Sequence, residues 1–258
     1  MNGIFSLTPE LRAEFFAACT QEPVYGAKIA TALEVCGRNP PPGFYLARQG
    51  ADCAALFLSG GSLLLASGES FFSDALPAWI ATQPAIEISC RLPLCEKLHA
   101  RLGGSIESSY FMEYRSAAAP AAESPRVTAT RDLRAVFSVL QQSHDYYRSH
   151  LHWERWADEL TKKLDLGLAE LVLATEDGKP VGTGSIGAQT EEAAVVAGVA
   201  VVPKARHNGL GKEISAELTR RILQKNKTPM LLSGYDAVAA LYRQIGYTQC
   251  GRWGELHL

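Results

Sequence analysis

The residues best suited to chemistry are Arg206, His207, Asn208, Gly209, Leu210, Gly211 and Lys212, which follow the valine run that Pro203 halts. Proline cannot donate to a strand ladder, so the chain leaves its sheet there. Beyond the glycines the apolar spacing is helical. A helix N-terminus has four N–H groups without intrahelical partners and about half a positive charge, so it attracts an anion. Glycines take the dihedral angles of a tight turn and have no Cβ to hold a bulky ligand away. A strand stop, a glycine turn and a fresh helix together suit a diphosphate. Residues 209–213 fit neither G-x-G-x-x-G nor G-x-x-x-x-G-K-[ST], which sets aside the common dinucleotide and P-loop signatures.

The elements that must position this turn are set by periodicity. Residues 126–130 read as a short strand. Asp132 opens a helix with Leu133, Val136, Phe137 and Leu140 on one face, and a second helix covers residues 154–164. Glu176-Asp177-Gly178-Lys179 is a hairpin signal between two β-type runs. Residues 193–202 are nearly all apolar, as in a strand buried on both faces. Leu210, Ile214, Leu218 and Ile222 mark a helix face. A strand at 230–233 comes after it, then a helix with Asp236 as N-cap, an apolar stripe of Val238, Leu241 and Ile245, and Gly246 as C-terminal cap. A last strand covers residues 248–256. Hairpins combined with a helical crossover require a mixed sheet.

The first half repeats the tail of this plan: residues 94–103 and 238–246 are each a helix ended by glycine and succeeded by a closing strand, and residues 44–67 parallel the three central strands. It has SGESFFSDALPAW where the second half has the glycine turn. Residues 116–124, SAAAPAAES, have linker composition. The expectation is an α/β (α+β) protein of two domains, 1–115 and 125–258, each a mixed, mainly antiparallel sheet flanked by helices.

Composition narrows the function classes. A net charge of −2 over 258 residues offers no basic stripe for nucleic acid, and no apolar run has membrane-span length. The N-terminus lacks signal-peptide character, and six dispersed cysteines without a C-x-x-C pair read as reduced thiols. A cytoplasmic protein without a metal site is expected; His150-Leu151-His152 has no third ligand at a recognisable spacing.

The segment Val201-Val202-Pro203-Lys204-Ala205-Arg206-His207-Asn208-Gly209-Leu210-Gly211 resembles the acyl-CoA loop of the GNAT superfamily of N-acetyltransferases, V-x-P-x-x-[RQ]-x-x-G-x-[GA]. Ala240-Leu241-Tyr242-Arg243-Gln244-Ile245-Gly246-Tyr247 is similar to that family's later A-x-x-L-Y-[EK]-x-x-G-[FY] element. The two stand in the family's order, and the resemblance covers residues 125–258, with the first half as a degenerate copy. It implies acetyl-CoA as cosubstrate and acetyl transfer to a primary amine, small-molecule or peptide, by direct attack. The alternatives are a non-catalytic acyl-CoA-binding regulator and an acyltransferase with another donor.

Acyl transfer to an amine needs a neutral amine, a stabilised oxyanion and a proton for the departing thiolate, since amine and thiol titrate near ~10.4 and ~8.5. The resemblance implies that the strand around Val199 and Val201 offers backbone groups to the pantetheine arm and thioester. Amides of residues 206–212 take the diphosphate, with a contact from the Arg206 side chain. Tyr242 is the implied proton donor; on a helical wheel it lies ~100° from Leu241, off the apolar stripe. Where many relatives have an asparagine, seven residues earlier, this chain has Tyr235. Asp236 reads as a cap, Glu191 and Glu192 as a solvated hairpin pair, and no general base is legible. Residues 144–156 are rich in His, Tyr and Trp; they either wall the acceptor pocket or pack against the first half.

Overall fold

A computed structural model describes residues 2–37, 42–117, 120 and 124–258. The chain forms two compact units: Met1–Phe111 with Leu232–Tyr235 and Gln249–Leu258, and Met112–Leu231 with Asp236–Thr248. Of the stretch with linker composition, residues 118, 119 and 121–123 lie outside the described residues.

Unit 1 contains β1 (Gly3–Ser6), α1 (Arg12–Thr20), α2 (Pro23–Cys36), β2 (Phe44–Gln49), β3 (Asp52–Ser59), β4 (Ser62–Ser67), α3 (Ala75–Ile80), β5 (Glu87–Arg91), α4 (Leu92–Leu102) and β6 (Ser105–Tyr114), the last as far as Phe111. The three antiparallel strands expected over residues 44–67 are β2, β3 and β4. The place between β5 and β6 is taken by β12 (Tyr247–His257), the last strand of the chain, whose residues from Gln249 on belong to this unit. It pairs antiparallel with β5, Glu255 opposite Ser89 and His257 opposite Glu87. Gly254 makes this seat possible, because a Cβ there would lie 2.7 Å from Cys95 Sγ on α4.

Unit 2 contains β7 (Val127–Thr130), α5 (Leu133–Ser143), α6 (Asp145–His150), α7 (Trp153–Asp165), β8 (Glu170–Glu176), β9 (Lys179–Gln189), β10 (Ala193–Val201), α8 (Leu210–Gln224), β11 (Thr228–Ser233) as far as Leu231, and α9 (Asp236–Ile245). Its strand order is β11-β10-β9-β8-β7, antiparallel except for the parallel β10–β11 pair that α8 connects. The sheet is mixed, as the sequence requires. Asp132 caps α5, its carboxylate accepting from Ala135 N at 2.9 Å. Asp177 and Gly178, both at positive φ, form the β8–β9 turn. The helix α6, absent from the sequence expectation, has too few residues to show a period.

Helix α8 lies directly on β9. Leu210, Ile214, Leu218 and Ile222 are fully or almost fully buried. A Cβ at Gly182 would come within 2.7 Å of Ile214 Cδ1, and one at Gly184 within 2.8 Å of Ile214 Cγ2 and Leu218 Cδ1. These bare strand positions bring the helix close to the sheet and thereby fix where its N-terminus emerges from β10.

Candidate active site

Pro203 begins a single 3-10 turn ending at Ala205, after which Arg206 is extended and His207 (φ 65°) and Gly209 (φ 77°) are left-handed. Gly209 is the N-cap of α8 and supplies no side-chain bond to the first turn, where Lys212 N donates to Gly209 O at 3.0 Å. His207, Asn208, Gly209 and Lys212 are exposed, while Leu210 is anchored in the core. A Cβ at Gly209 would meet nothing within 4 Å, and one at Gly211 only Val201 Cγ2 at 4.0 Å. Packing therefore does not demand glycine at 211; its bareness keeps open the space above the helix end. The Arg206 side chain turns the other way, donating from Nε to Val201 O at 3.1 Å and from its terminal nitrogen to Ser143 O. It ties the turn to the ends of β10 and α5.

The strand before the turn leaves its neighbours. The parallel ladder with β11 stops at Val196↔Leu231, although β10 runs on to Val201. On the β9 side the register shifts between Ala197 and Ala200, so among the described residues Gly198 and Val199 have no ladder partner on either side. Gly198, at φ 60°, is the left-handed residue of this bulge. Ser185 Oγ donates to Ala197 O at 3.0 Å and braces the bulge from β9. A glycine isolated within an apolar strand signals a bulge, so this feature is legible in the sequence.

Tyr242 lies on the buried face of α9, 7 % exposed, with Ala239 and Ile245. The helical-wheel expectation of a tyrosine off the packed stripe is corrected here: Val238 and Leu241 are only partly covered, and the face is rotated by about one residue. The ring packs edge-on against Tyr247, centroids 5.6 Å apart, and the hydroxyl hydrogen-bonds Ser215 on α8. Ser215 Oγ in turn donates to Gly211 O at 2.8 Å. Burial, partly offset by Ser215 and reinforced by nearby Tyr147, pushes the Tyr242 phenol up to about 12. The phenol stays protonated across neutral pH, the state a proton donor needs. Asp236 is the exposed first residue of α9, and Tyr235 is 62 % exposed.

Residues 168–249, which include the bulge, the glycine turn and Tyr242, match the family model described as "Acetyltransferase (GNAT) domain". The match places a GNAT acetyltransferase domain largely within unit 2 and is confined to those residues. No curated protein matches it. Its fold is shared by solved structures of low identity. A tandem GNAT protein from the clavulanic acid biosynthesis pathway is 12 % identical, with 99 % of this chain and 97 % of that one covered and a TM-score of 0.64. A GCN5-related N-acetyltransferase from Sphaerobacter thermophilus is 18 % identical over 98 % and 94 % of the two chains, TM-score 0.65. A GNAT-family acetyltransferase from Colwellia psychrerythraea is 12 % identical over 99 % of each, TM-score 0.66.

Unit 2 has a cleft of about 260 Å³ beside the bulge. Its floor is Ser185, Gly187, Ala197 and Gly198, and its walls come from α5, α6 and α7. Tyr147, Leu151 and Trp156 line it, so the aromatic segment at 144–156 does contribute a pocket wall. Trp153 and Trp156 are held against Phe137, at 5.3 and 5.4 Å between centroids, and Arg134 lies 3.7 Å over Trp153. Glu159 and Lys163, one helical turn apart, face the same cleft. Their lining role has no sequence signal, since an i, i+4 ion pair usually marks a solvated helix face. Glu191 and Glu192 are exposed in the β9–β10 turn and do not line it. The carboxylates and imidazole of Glu87, Glu255 and His257 converge within 4.8 Å on the unit 1 strands β5 and β12.

Proposed function

We propose that the protein transfers an acetyl group from acetyl-CoA to a primary amine by direct attack in a ternary complex. The observation that carries this reading is the combination of a helix N-terminus entered through an exposed glycine turn, with no side-chain cap, and a strand end that has lost its ladder partners on both sides. Acetyl-CoA supplies an activated acyl carbon and a thiolate leaving group. Amides of residues 206–212 hold the diphosphate, aided by the helix end. Backbone groups around Gly198, Val199 and Val201 run along the pantetheine arm and face the thioester, a geometry in which one oxyanion donor is worth a few kcal/mol. Arg206 acts by positioning, since its guanidinium is occupied by Val201 O and Ser143 O. Tyr242 donates the proton that the thiolate takes as the C–S bond breaks, and the proton lost by the amine passes to solvent.

The cleft beside Gly198 receives the amine. This reading includes a cytoplasmic location and an ancestral division of the chain at residues 116–124 into two GNAT-like domains, the first without a cofactor site. The test pairs thermal unfolding in CoA with thiol release from acetyl-CoA over a panel of amines. A ligand at 100 times its Kd stabilises the folded state by ~2.7 kcal/mol, so saturating CoA raises Tm by several degrees. Absence of any shift rejects the cofactor assignment. A shift without thiol release from any amine rejects the transferase and leaves a CoA-binding protein.

A further inference from the structure

Resting on the acetyl-transfer reading, we propose that the acceptor is a primary amine on a compact apolar body, branched aliphatic or aryl, with no second cationic group. The walls of the cleft are Val136, Leu140, Leu151, Trp156, Leu160 and Leu171, against which an alkyl or aromatic group loses its contact with water. Its floor is made of small residues, which gives it depth next to the bulge. At about 260 Å³ it lies just below the ~300–1,000 Å³ of pockets that enclose drug-sized ligands, so it suits a smaller molecule.

Charge excludes the polycationic amines. Among the described residues the one acidic side chain in the lining is Glu159, and Lys163 Nζ sits 2.6 Å from its Oε1, so the two cancel at the rim. A polyamine or aminosugar needs several carboxylates to replace the water around its ammonium groups, and here each charge beyond the reacting nitrogen would be buried unpaired. For a single amine the same apolar surroundings are an advantage, because desolvation disfavours the ammonium and raises the share of the neutral nucleophile.

The experiment measures kcat/KM with acetyl-CoA for n-propyl- through n-hexylamine, phenethylamine, spermidine and a polyamino sugar. Each methylene that enters an apolar cleft adds about fourfold, from the transfer value of a buried CH₂. The expected profile rises about fourfold per carbon until the cleft is full, with phenethylamine near its top and the polycations at least about a hundredfold lower, the cost of one unpaired buried charge. Leu160→Trp moves the optimum to shorter amines and Trp156→Ala to longer ones, both with CoA affinity by calorimetry unchanged. A flat profile, or spermidine matching hexylamine, overturns the proposal; so does CoA binding with no amine of the series acetylated. Loss of CoA binding in the unaltered protein instead rejects the transferase reading, and the acceptor proposal with it. If either variant fails to fold, the chain-length profile of the unaltered protein decides alone.

Discussion

In unit 2 the parallel ladder of β10 and β11 stops at Val196↔Leu231, and in unit 1 that of β4 and β5 stops at Leu64↔Ser89; in both, the earlier strand continues past the last pair. The two strand ends differ from there on. The β3–β4 register runs unbroken from Ser59↔Ser62 to Ala54↔Ser67, without a bulge. The groups beyond it are taken by side chains and their neighbours: Arg91 Nε donates to Ser67 O at 3.3 Å, Gln21 Oε1 accepts from Gly68 N at 2.9 Å, and Arg91 Nη2 donates to Gln21 O at 3.1 Å. Phe71 is buried in the segment after β4, and α3 has only six residues. In unit 2 the strand end bulges at Gly198, and the next helix begins at an exposed glycine that supplies no side-chain cap. One sheet plan thus yields a filled gap or an open one, according to which residues come after the strand.

The largest test of this contrast is Tyr242→Phe. If all chemistry belongs to unit 2, kcat falls ~10²- to 10⁴-fold, the usual weight of a positioned proton donor, while CoA affinity by calorimetry stays the same. An unchanged kcat would take Tyr242 out of the mechanism.

Gly211→Glu comes next. The Cβ has room, and an acidic group in the first turn of α8 favours the helix, so Tm holds or rises by about a degree or two. The same carboxylate repels a diphosphate, and CoA affinity drops about a hundredfold, worth ~2.7 kcal/mol. Equal affinity in this variant would move the phosphate site elsewhere.

The comparison also predicts stoichiometry. Titration calorimetry should give one CoA per chain. Gln21→Ala with Arg91→Ala, which opens the gap in unit 1, should lower stability by ~1–3 kcal/mol through lost hydrogen bonds without adding a second site, because no Arg-x-x-Gly-x-Gly sequence succeeds β4. Two equivalents in either protein would end the distinction between the units.

The smallest effect concerns the strand that unit 1 receives from the chain's end. Burial, then Glu87, lift the Glu255 carboxyl above its usual range, with Glu107 acting the same way and His257 and Ser89 against them. A raised carboxylate favours folding while protonated, and that contribution disappears as pH rises through the folded-state value. Glu255→Gln should therefore raise Tm by ~1–3 °C at pH 7, with the difference closing toward pH ~4, the ordinary carboxylate range. A gain that persists in acid would assign the effect to something other than charge.

Much of this architecture is legible in the residues alone. Pro203, Gly209 and the Leu210, Ile214, Leu218, Ile222 spacing place strand, turn and helix, because backbone restriction and apolar period are local properties. The hairpin at Asp177-Gly178 and the cap at Asp132 are equally local. The orientation of Tyr242 is not, because a helical wheel built on Val238, Leu241 and Ile245 cannot register that Ala239 and Tyr242 join Ile245 in the core while Val238 and Leu241 are only partly covered. The helix α6, too short for a period, is hidden for a related reason.

By itself the sequence determined most of the succession of strands and helices and the glycine turn before α8, all of which depend on residues near one another along the chain. Tertiary structure alone decided that Arg206 braces the turn, that Gln21 and Arg91 fill the gap in unit 1, and that β12 completes the sheet of the first unit. It also decided that Trp156, Glu159 and Ser185 face one cleft. The physical reason is sequence distance: apart from the Arg206–Val201 bond, these contacts join elements tens to more than a hundred positions apart, and their partners are chosen by packing, which no local pattern encodes.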